Sequence, residues 1–183
     1  MLGATDSRVR CVVSQIPHVS GRRTSLAMYS ASQRKRIEQR LEVDRAARRT
    51  GAQPEMVPVF SSDAEQLCAL LPAMSDRNIA AARRATPGWS NEVTLRSLQA
   101  MLEFEPAAWI GYISPKPFMM IVGTLDDCTL AEIQLDAYSK ANEPKRLVVH
   151  PGGHFDTYTD HFVATSRSAV EWFGEHLKLR EYA

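Results

Sequence analysis

The pattern of hydrophobic and polar positions divides the chain into three parts. The first part contains a β-branched apolar run at residues 9–13, which predicts a buried strand. No helix or strand is predicted before this run. The strand at residues 9–13 is therefore expected to be the first element of the fold.

The middle part, residues 21–110, is comparatively polar and has apolar residues at helical spacing. It predicts helices without an intervening strand, which is typical of an insertion and not of a repeating strand–helix unit. The four predicted helices are residues 30–49 ending at Gly51, residues 63–71, a helix capped by Ser75, and a helix capped by Asn91 with Leu95, Leu98 and Leu102 on one face.

The last part alternates strands and helices. Residues 118–122 form an apolar run closed by Gly123, as expected for a strand buried on both faces. A helix capped by Thr129 and a short strand at residues 146–149 follow, and a final helix is expected to start near Asp160. The predicted buried face of that helix consists of Phe162, Ser166, Ala169 or Val170, Phe173 and Leu177. This order predicts a parallel sheet with helical crossovers.

Two loops of the last part hold the candidate chemistry. Asp126 follows the strand at residues 118–122, and His154 follows the strand at residues 146–149 after a Gly-Gly pair. Reactive groups in open parallel sheets lie beyond the carboxyl ends of the strands, so these two side chains can meet there. A carboxylate and a histidine in this chain order can serve as the orienting acid and the general base of a nucleophile–histidine–acid triad.

The same loops permit other interpretations. Asp127 could replace Asp126 as the acid, shifted by one position. Cys128 could be a nucleophile, but it shares a turn with the acid and is better explained as a small apolar residue. A metal site would use His150, His154 and Asp156. The intervening Pro-Gly-Gly excludes the helix on which a His-x-x-x-His pair binds metal well, so we expect no metal.

Net charge and the distribution of basic residues bear on whether the chain binds nucleic acid. The net charge is +1 and the isoelectric point is about 7.8, which gives no global reason to expect nucleic acid. Nine lysines and arginines lie between Arg22 and Arg49, and a nucleic-acid face there is conceivable. Acidic residues interrupt this stretch and only Tyr29 could stack on a base. A solvated helix surface is the better interpretation.

The cysteines and the apolar runs suggest a compartment. Cys11, Cys68 and Cys128 lie far apart and form no Cys-x-x-Cys pair, which favours a reducing environment. No apolar run approaches the roughly 18–20 residues that span a bilayer. The first residues do not have the pattern of a secretory signal. We therefore expect a cytoplasmic protein without a membrane partner.

Segments from nearly the whole chain form a recognisable set. They are residues 6–15, 89–94, 114–123, 134–138, 143–145 and 151–156, together with the Asp126 loop. They resemble the C-terminal portion of α/β-hydrolases, most closely the fungal secondary-metabolism group that includes polyketide transferases and host-selective-toxin biosynthesis hydrolases. The Asp126 loop and Gly152-Gly153-His154 are the most specific parts of this resemblance.

The resemblance implies a fold and a set of roles. The fold is α/β: a partial α/β-hydrolase fold with about three parallel strands, flanking helices and an inserted helical cap. Residues 1–20 and 111–183 would form the core, and residues 21–110 the cap, in one domain. Asp126 would be the catalytic acid and His154 the catalytic base. The substrate would be a small-molecule ester, thioester or related carbonyl, attacked through a covalent acyl-enzyme without a cofactor.

One element of the family pattern is missing. The sequence has no Gly-x-Ser-x-Gly elbow, nor the same elbow with Cys or Asp, and residues 88–92 lack the closing glycine. We expect either that the protein extends upstream to a nucleophile or that it is a truncated, non-catalytic remnant that binds a partner such as a full-length homologue. In the isolated 183-residue chain the strand at residues 9–13 would lack one neighbour and expose an edge for self-association.

Overall fold

The computed structural model of the chain describes residues 1–63, 65–70, 80 and 84–177. The chain divides into two compact units. Met1–Ser20 and Glu105–Ala183 form one of them, here called the sheet unit, and Gly21–Phe104 form the other, the helical unit. The role of residues 21–110 as a cap stays a prediction.

The elements of both units follow in chain order. The helices are α1 (Leu2–Thr5), α2 (Gly21–Met28), α3 (Ala31–Arg49), α4 (Leu95–Glu103), α5 (Ala131–Ser139) and α6 (Phe162–His176). The strands are β1 (Val12–Gln15), β2 (Met56–Pro58), β3 (Glu92–Thr94), β4 (Phe118–Gly123) and β5 (Lys145–His150). Two 3-10 helices cover Pro106–Tyr112 and Phe155–Tyr158.

The sheet unit is built on a parallel sheet of three strands in the order β1-β4-β5. Phe118 lies opposite Val12 on one side and Lys145 on the other. The prediction that the first strand and the strand at residues 118–122 are adjacent and parallel is confirmed. The Asp126 loop after β4 and the His154 loop after β5 leave the sheet at the same edge, because all three strands run in one direction.

The central strand β4 is buried at all six positions. Its side chains alternate between two apolar clusters, as successive residues of a strand must. Met120 and Val122 pack in the cluster that contains Ile133 of α5. Met119 and Ile121 pack with Trp172 of α6. A helix therefore covers each face of the strand that precedes Asp126.

The sheet unit corrects three expectations. The short helix α1 precedes the first strand, which begins at Val12 and not at residue 9, because its pairing starts with the Val12 amide donating to Pro117 O at 2.9 Å. The final helix does not bury the predicted face. Thr165 and Trp172, seven residues apart, face the sheet, while Val170 is 70% exposed. The large indole of Trp172 sets the rotation of this helix.

The helical unit has its own core. The helix at residues 30–49 is confirmed as α3, with Ser30 and Gln33 forming a reciprocal capping box at its start. Gly51 follows its end with a φ of +90°, a conformation that glycine adopts without strain. The buried residues of this core are Tyr29, Ile37, Leu41, Val57, Leu95 and Leu98.

The prediction of helices alone was wrong in this unit. Strands β2 and β3 pair antiparallel, and the described part of residues 63–71 is not helical because the Ala69 and Leu70 amides donate to backbone carbonyls next to β2. Thr94, not Asn91, caps α4. The buried Asn91 side chain is hydrogen-bonded instead to the backbone of Phe60. The helix predicted after Ser75 falls mainly on residues outside the described ones.

Candidate active site

The loop after β4 is tied directly to the loop after β5. The Thr124 amide donates to His150 O at 2.9 Å, and the Leu125 amide donates to Gly152 O at 3.0 Å. A Cβ atom on Gly123 would lie 2.5 Å from Gly152 O, so only glycine permits this approach. The two loops are therefore held together by backbone atoms before any side chain contributes.

Asp156 shapes the loop that carries His154. Its carboxylate accepts a hydrogen bond from the Gly153 amide at 2.8 Å, and its backbone carbonyl accepts from the His161 amide at 2.9 Å. His154 lies between these contacts, immediately before the 3-10 helix Phe155–Tyr158. The ring of Phe155 packs edge-on against the ring of His154 at a centroid distance of 5.1 Å. These contacts fix the side of the loop on which the imidazole lies.

Asp126 and His154 come together at this edge of the sheet. His154 Nδ1 lies 3.0 Å from Asp126 Oδ2 and 3.2 Å from Oδ1, which is hydrogen-bond distance. The carboxylate side chain is fully buried, whereas 19% of the His154 side chain is exposed. Within the described part of the chain, no side chain is hydrogen-bonded to His154 Nε2. The arrangement leaves this second ring nitrogen open to an incoming group.

The buried carboxylate is well supplied with hydrogen-bond donors. The backbone amides of Cys128 and Thr129 donate to Oδ1, both at 2.9 Å. The Thr129 hydroxyl and Gln134 Nε2 donate to Oδ2 at 2.8 and 3.0 Å. Burial by itself would raise the pKa of Asp126, but the hydrogen bonds from His154 and Thr129 outweigh it and hold this pKa at about 2. Asp126 is therefore an anion at neutral pH.

Sequence reasoning missed Thr129 and Gln134 as members of this site. The prediction that Thr129 caps the next helix was wrong: α5 begins after Leu130 without a side-chain cap, and the Thr129 hydroxyl turns to Asp126 instead. The carboxylate attracts this hydroxyl more strongly than a helix terminus does. A signal for Gln134 existed, because helical spacing puts it on the buried face that contains Ile133 and Ala137.

The loop after β4, here called the acid loop, also contains Asp127 and Cys128, the alternative candidates for the acid and for a nucleophile. Asp127 is exposed, and its neighbour Asp126 is the carboxylate that faces His154. Burial, reinforced by the charges of Asp127 and Asp126, raises the pKa of the Cys128 thiol to about 12. A thiol with this pKa is not ionised at neutral pH and is a poor nucleophile.

The alternative prediction of a metal site used His150, His154 and Asp156, and each of these side chains has a different hydrogen-bond partner. His150 Nε2 is hydrogen-bonded to the Thr157 hydroxyl at 2.7 Å, and its ring packs on that of His161 at 4.5 Å. His154 faces Asp126, and Asp156 binds the Gly153 amide. Burial, with the neighbouring His161, lowers the pKa of His150. Among the described residues, no group of three His, Cys, Asp or Glu could hold a metal ion.

The chain is similar in sequence to two fungal proteins. It is 30% identical over 120 residues to the polyketide transferase grgF of Penicillium sp, a match that covers 62% of this chain and 38% of that protein. It is 31% identical over 120 residues to a polyketide transferase of Gibberella fujikuroi, covering 62% and 35%. The matched part is therefore little more than a third of either relative. No family model matches the chain.

Solved structures have the same architecture. The α/β hydrolase GrgF from Penicillium sp. sh18 superposes with a TM-score of 0.75 at 22% identity, covering 96% of this chain and 58% of that one. DcsB superposes with a TM-score of 0.77 at 22% identity, covering 96% and 59%. This chain spans less than two thirds of either structure.

The parallel sheet, its two covering helices and the loops at its edge are part of an α/β-hydrolase fold. Over 62% of its length the chain is similar in sequence to fungal polyketide transferases. In the described residues, no helix combines the length and the apolar character that a membrane crossing requires.

Proposed function

We propose that this chain supplies the acid and the base of a serine-hydrolase-type active site. The complete protein would hydrolyse, or transfer an acyl group from, an ester, thioester or related carbonyl in the biosynthesis of a polyketide or toxin. The observation that supports this most strongly is the 3.0 Å contact between His154 Nδ1 and a buried Asp126 carboxylate. The sequence similarity to polyketide transferases supports the substrate class.

The chemistry follows from the two nitrogens of His154. Nδ1 donates to Asp126, so Nε2 carries the lone pair and can accept the proton of a nucleophile as it attacks the carbonyl. Asp126 stays ionised because its pKa is about 2, and it stabilises the imidazolium that forms. The imidazolium then returns the proton to the leaving group. The nucleophile and the oxyanion-hole donors would come from upstream sequence or from a partner chain.

Complementation tests this proposal. The isolated chain is expected to show no esterase activity above background and no labelling by a serine-directed phosphonate. Fusing the N-terminal half of a close relative, including its Gly-x-Ser-x-Gly elbow, should restore both. In that chimera His154→Ala should lower the rate by several orders of magnitude. Glu171→Ala, at an exposed position of α6, is the matched control and should leave it unchanged.

Activity of the isolated chain that is lost on His154→Ala would mean that it contains its own nucleophile. A folded, phosphonate-labelled chimera that keeps its rate after His154→Ala would contradict the role of His154. Both results are read from the same two assays.

A second candidate function is binding without catalysis, to another copy of the chain or to a full-length homologue. Strand β1 pairs with β4 on one side, and no other described strand pairs with it. The amides of Val12 and Ile16 donate toward the β4 side, so that of Gln15 faces the other edge. Phe162, Val163 and Val170 on α6 add exposed apolar surface. Such surfaces favour association.

Sedimentation analysis distinguishes this candidate. Wild-type chain should self-associate, and Gln15→Pro, which removes an outward amide from the edge strand, should weaken association while leaving the fold intact. A wild-type chain that stays monomeric and unfolds cooperatively would reject self-association.

We propose the cytoplasm as the compartment because Cys11, Cys68 and Cys128 are all free thiols. A fluorescent fusion seen in the secretory pathway would contradict that location.

A further inference from the structure

Gln134 is a polar residue in a core position. Its side chain is completely buried on α5, between the apolar residues Ile133 and Ala137. Its Nε2 donates to Asp126 Oδ2 and to Thr129 Oγ1, both at 3.0 Å. Its Oε1 has no partner among the described residues. A buried carbonyl oxygen without a partner is unfavourable. What the glutamine contributes at this core position is therefore the pair of hydrogen bonds that its Nε2 donates.

The hydrogen bonds around Asp126 have one consistent direction. Exchanging the oxygen and nitrogen of the Gln134 amide would put a carbonyl oxygen against the carboxylate, so Nε2 must face Asp126. Thr129 Oγ1 accepts from Gln134 and has one hydrogen to donate. Asp126 Oδ2 at 2.8 Å is a closer acceptor for it than Ile16 O at 3.3 Å, and it is charged. His154 Nδ1 lies 3.4 Å from the same hydroxyl. These two residues therefore present a fixed, ionised carboxylate to His154 Nδ1.

The two groups that donate to Oδ2 beside His154, the Thr129 hydroxyl and the Gln134 amide, are electrically neutral. A lysine or arginine in their place would also stabilise the carboxylate, but its positive charge would oppose the imidazolium that forms on His154. Neutral donors draw part of the negative charge away from the oxygen that faces the ring. The titratable groups around the pair are Asp127 and Cys128 on the acid loop, Asp156 on the loop after β5 (the histidine loop), His150 at the end of β5, and His161, whose ring packs on that of His150.

We propose that Gln134 and Thr129 are positioning residues that hold Asp126 Oδ2 against His154 Nδ1 and spread its charge, so that His154 is oriented as a base without being held permanently as an imidazolium. This inference rests on the proposed function of the Asp126–His154 pair. Gln134 acts only through Asp126, whereas the Thr129 hydroxyl also lies 3.4 Å from His154 Nδ1. Among the described contacts, neither residue is hydrogen-bonded to His154 Nε2.

The proposal predicts the direction of a titration. Removing one neutral donor concentrates negative charge on the carboxylate, which stabilises the imidazolium. The midpoint of the His154 ring titration should therefore rise, by roughly one pH unit or tenfold in proton affinity, the scale of a hydrogen bond to a charged group. Loss of packing alone would loosen the pair and lower the midpoint or leave it in place. The sign of the change thus separates positioning from a structural role.

The test is nuclear magnetic resonance of the 183-residue chain, following the Cε1 proton of His154, assigned by its absence in His154→Gln. Gln134→Met keeps the length of the side chain without its amide, and Thr129→Val keeps the shape without the hydroxyl. Both should raise the midpoint. Thr129→Ser keeps the hydroxyl and should restore the wild-type midpoint. Glu132→Gln, at an exposed position of the same helix, should not change it.

Folded Gln134→Met and Thr129→Val chains with an unchanged or lower midpoint would overturn the inference. If Gln134→Met does not fold, the Thr129→Val and Thr129→Ser pair decides. A wild-type His154 that carries its neutral-form hydrogen on Nε2 would overturn the proposed function as well. If the wild-type chain carries the hydrogen on Nδ1 but the variants do not change the midpoint, only the inference about Gln134 and Thr129 would be overturned.

Discussion

Strands β4 and β1 are neighbours in one sheet, but their surroundings differ. Every residue of β4 is buried, and a helix covers each of its faces. Every residue of β1 is only partly buried. It pairs with β4 along one edge, and no described strand pairs with the other. β4 therefore has contacts on both edges and both faces, whereas β1, like β5 on the other side of β4, has a described partner strand on one edge only.

This difference indicates which parts of the proposed active site the chain contains, and where a nucleophile could be added. The acid loop, the histidine loop and the residues that hold them, including Thr129 and Gln134, all belong to the sheet unit. The pair forms where β4, which is buried on both faces and paired on both edges, ends beside β5. We propose that the nucleophile, from upstream sequence or a partner chain, is added at the β1 edge of the sheet. Three sets of variants test these differences in packing.

The largest effect is expected where the two site loops touch. Gly123→Ala would place a Cβ atom 2.5 Å from Gly152 O and should lower the free energy of unfolding by about 3 kcal/mol, because backbone atoms cannot move aside easily. Gly174→Ala in α6 meets nothing within 4 Å and should raise it by up to about 1 kcal/mol. Urea unfolding measures both. Equal effects at the two glycines would show that the loops do not pack as described.

A smaller effect distinguishes the covered strand from the outer face of α6. Val122→Ala in β4 removes a fully buried side chain and should cost about 2.5 kcal/mol. Val170→Ala changes a side chain that is 70% exposed and should stay within about 0.5 kcal/mol of wild type. Thermal unfolding of the two variants gives the comparison directly. A large loss at Val170 would show that something covers this face in solution.

The smallest expected effect is on the stability of the chain at low pH. The pKa of Asp126 is lowered from 3.8 to about 2 by folding, so the ionised carboxylate stabilises the folded chain above about pH 4. This contribution, about 2 kcal/mol, should be lost as the pH falls from about 4 to about 2. Unfolding measured through this range should have a steeper pH dependence for wild type than for Asp126→Asn. Identical slopes would place the Asp126 carboxylate in solvent.

Much of the sheet unit follows from the sequence. The apolar run at residues 118–122 has no polar position, and only a strand covered on both faces accommodates such a run. Asp126 and His154 then follow from the rule that parallel strands end at the same edge. The structure brings the two together, and their catalytic role stays a proposal. These features are local patterns with one physical solution.

Other features depended on contacts between distant segments. The rotation of α6 is set by Trp172 packing on Met119 and Ile121, which an apolar stripe in the sequence does not reveal. The antiparallel pair of β2 and β3 joins three-residue segments more than thirty positions apart, too short for a periodic signal. Thr129 has the residue type of a cap, and only the nearby carboxylate redirects it.

The most direct test of the central claim is the protonation of the two ring nitrogens of His154 in the isolated 183-residue chain. If the sheet unit alone assembles the acid–histidine pair, nitrogen-15 spectra of the neutral form of the ring should show the hydrogen on Nδ1 and a bare lone pair on Nε2. Asp126→Ala should remove this preference. A wild-type His154 with its hydrogen on Nε2, unaffected by Asp126→Ala, would show that the pair does not form in this chain and would contradict the account.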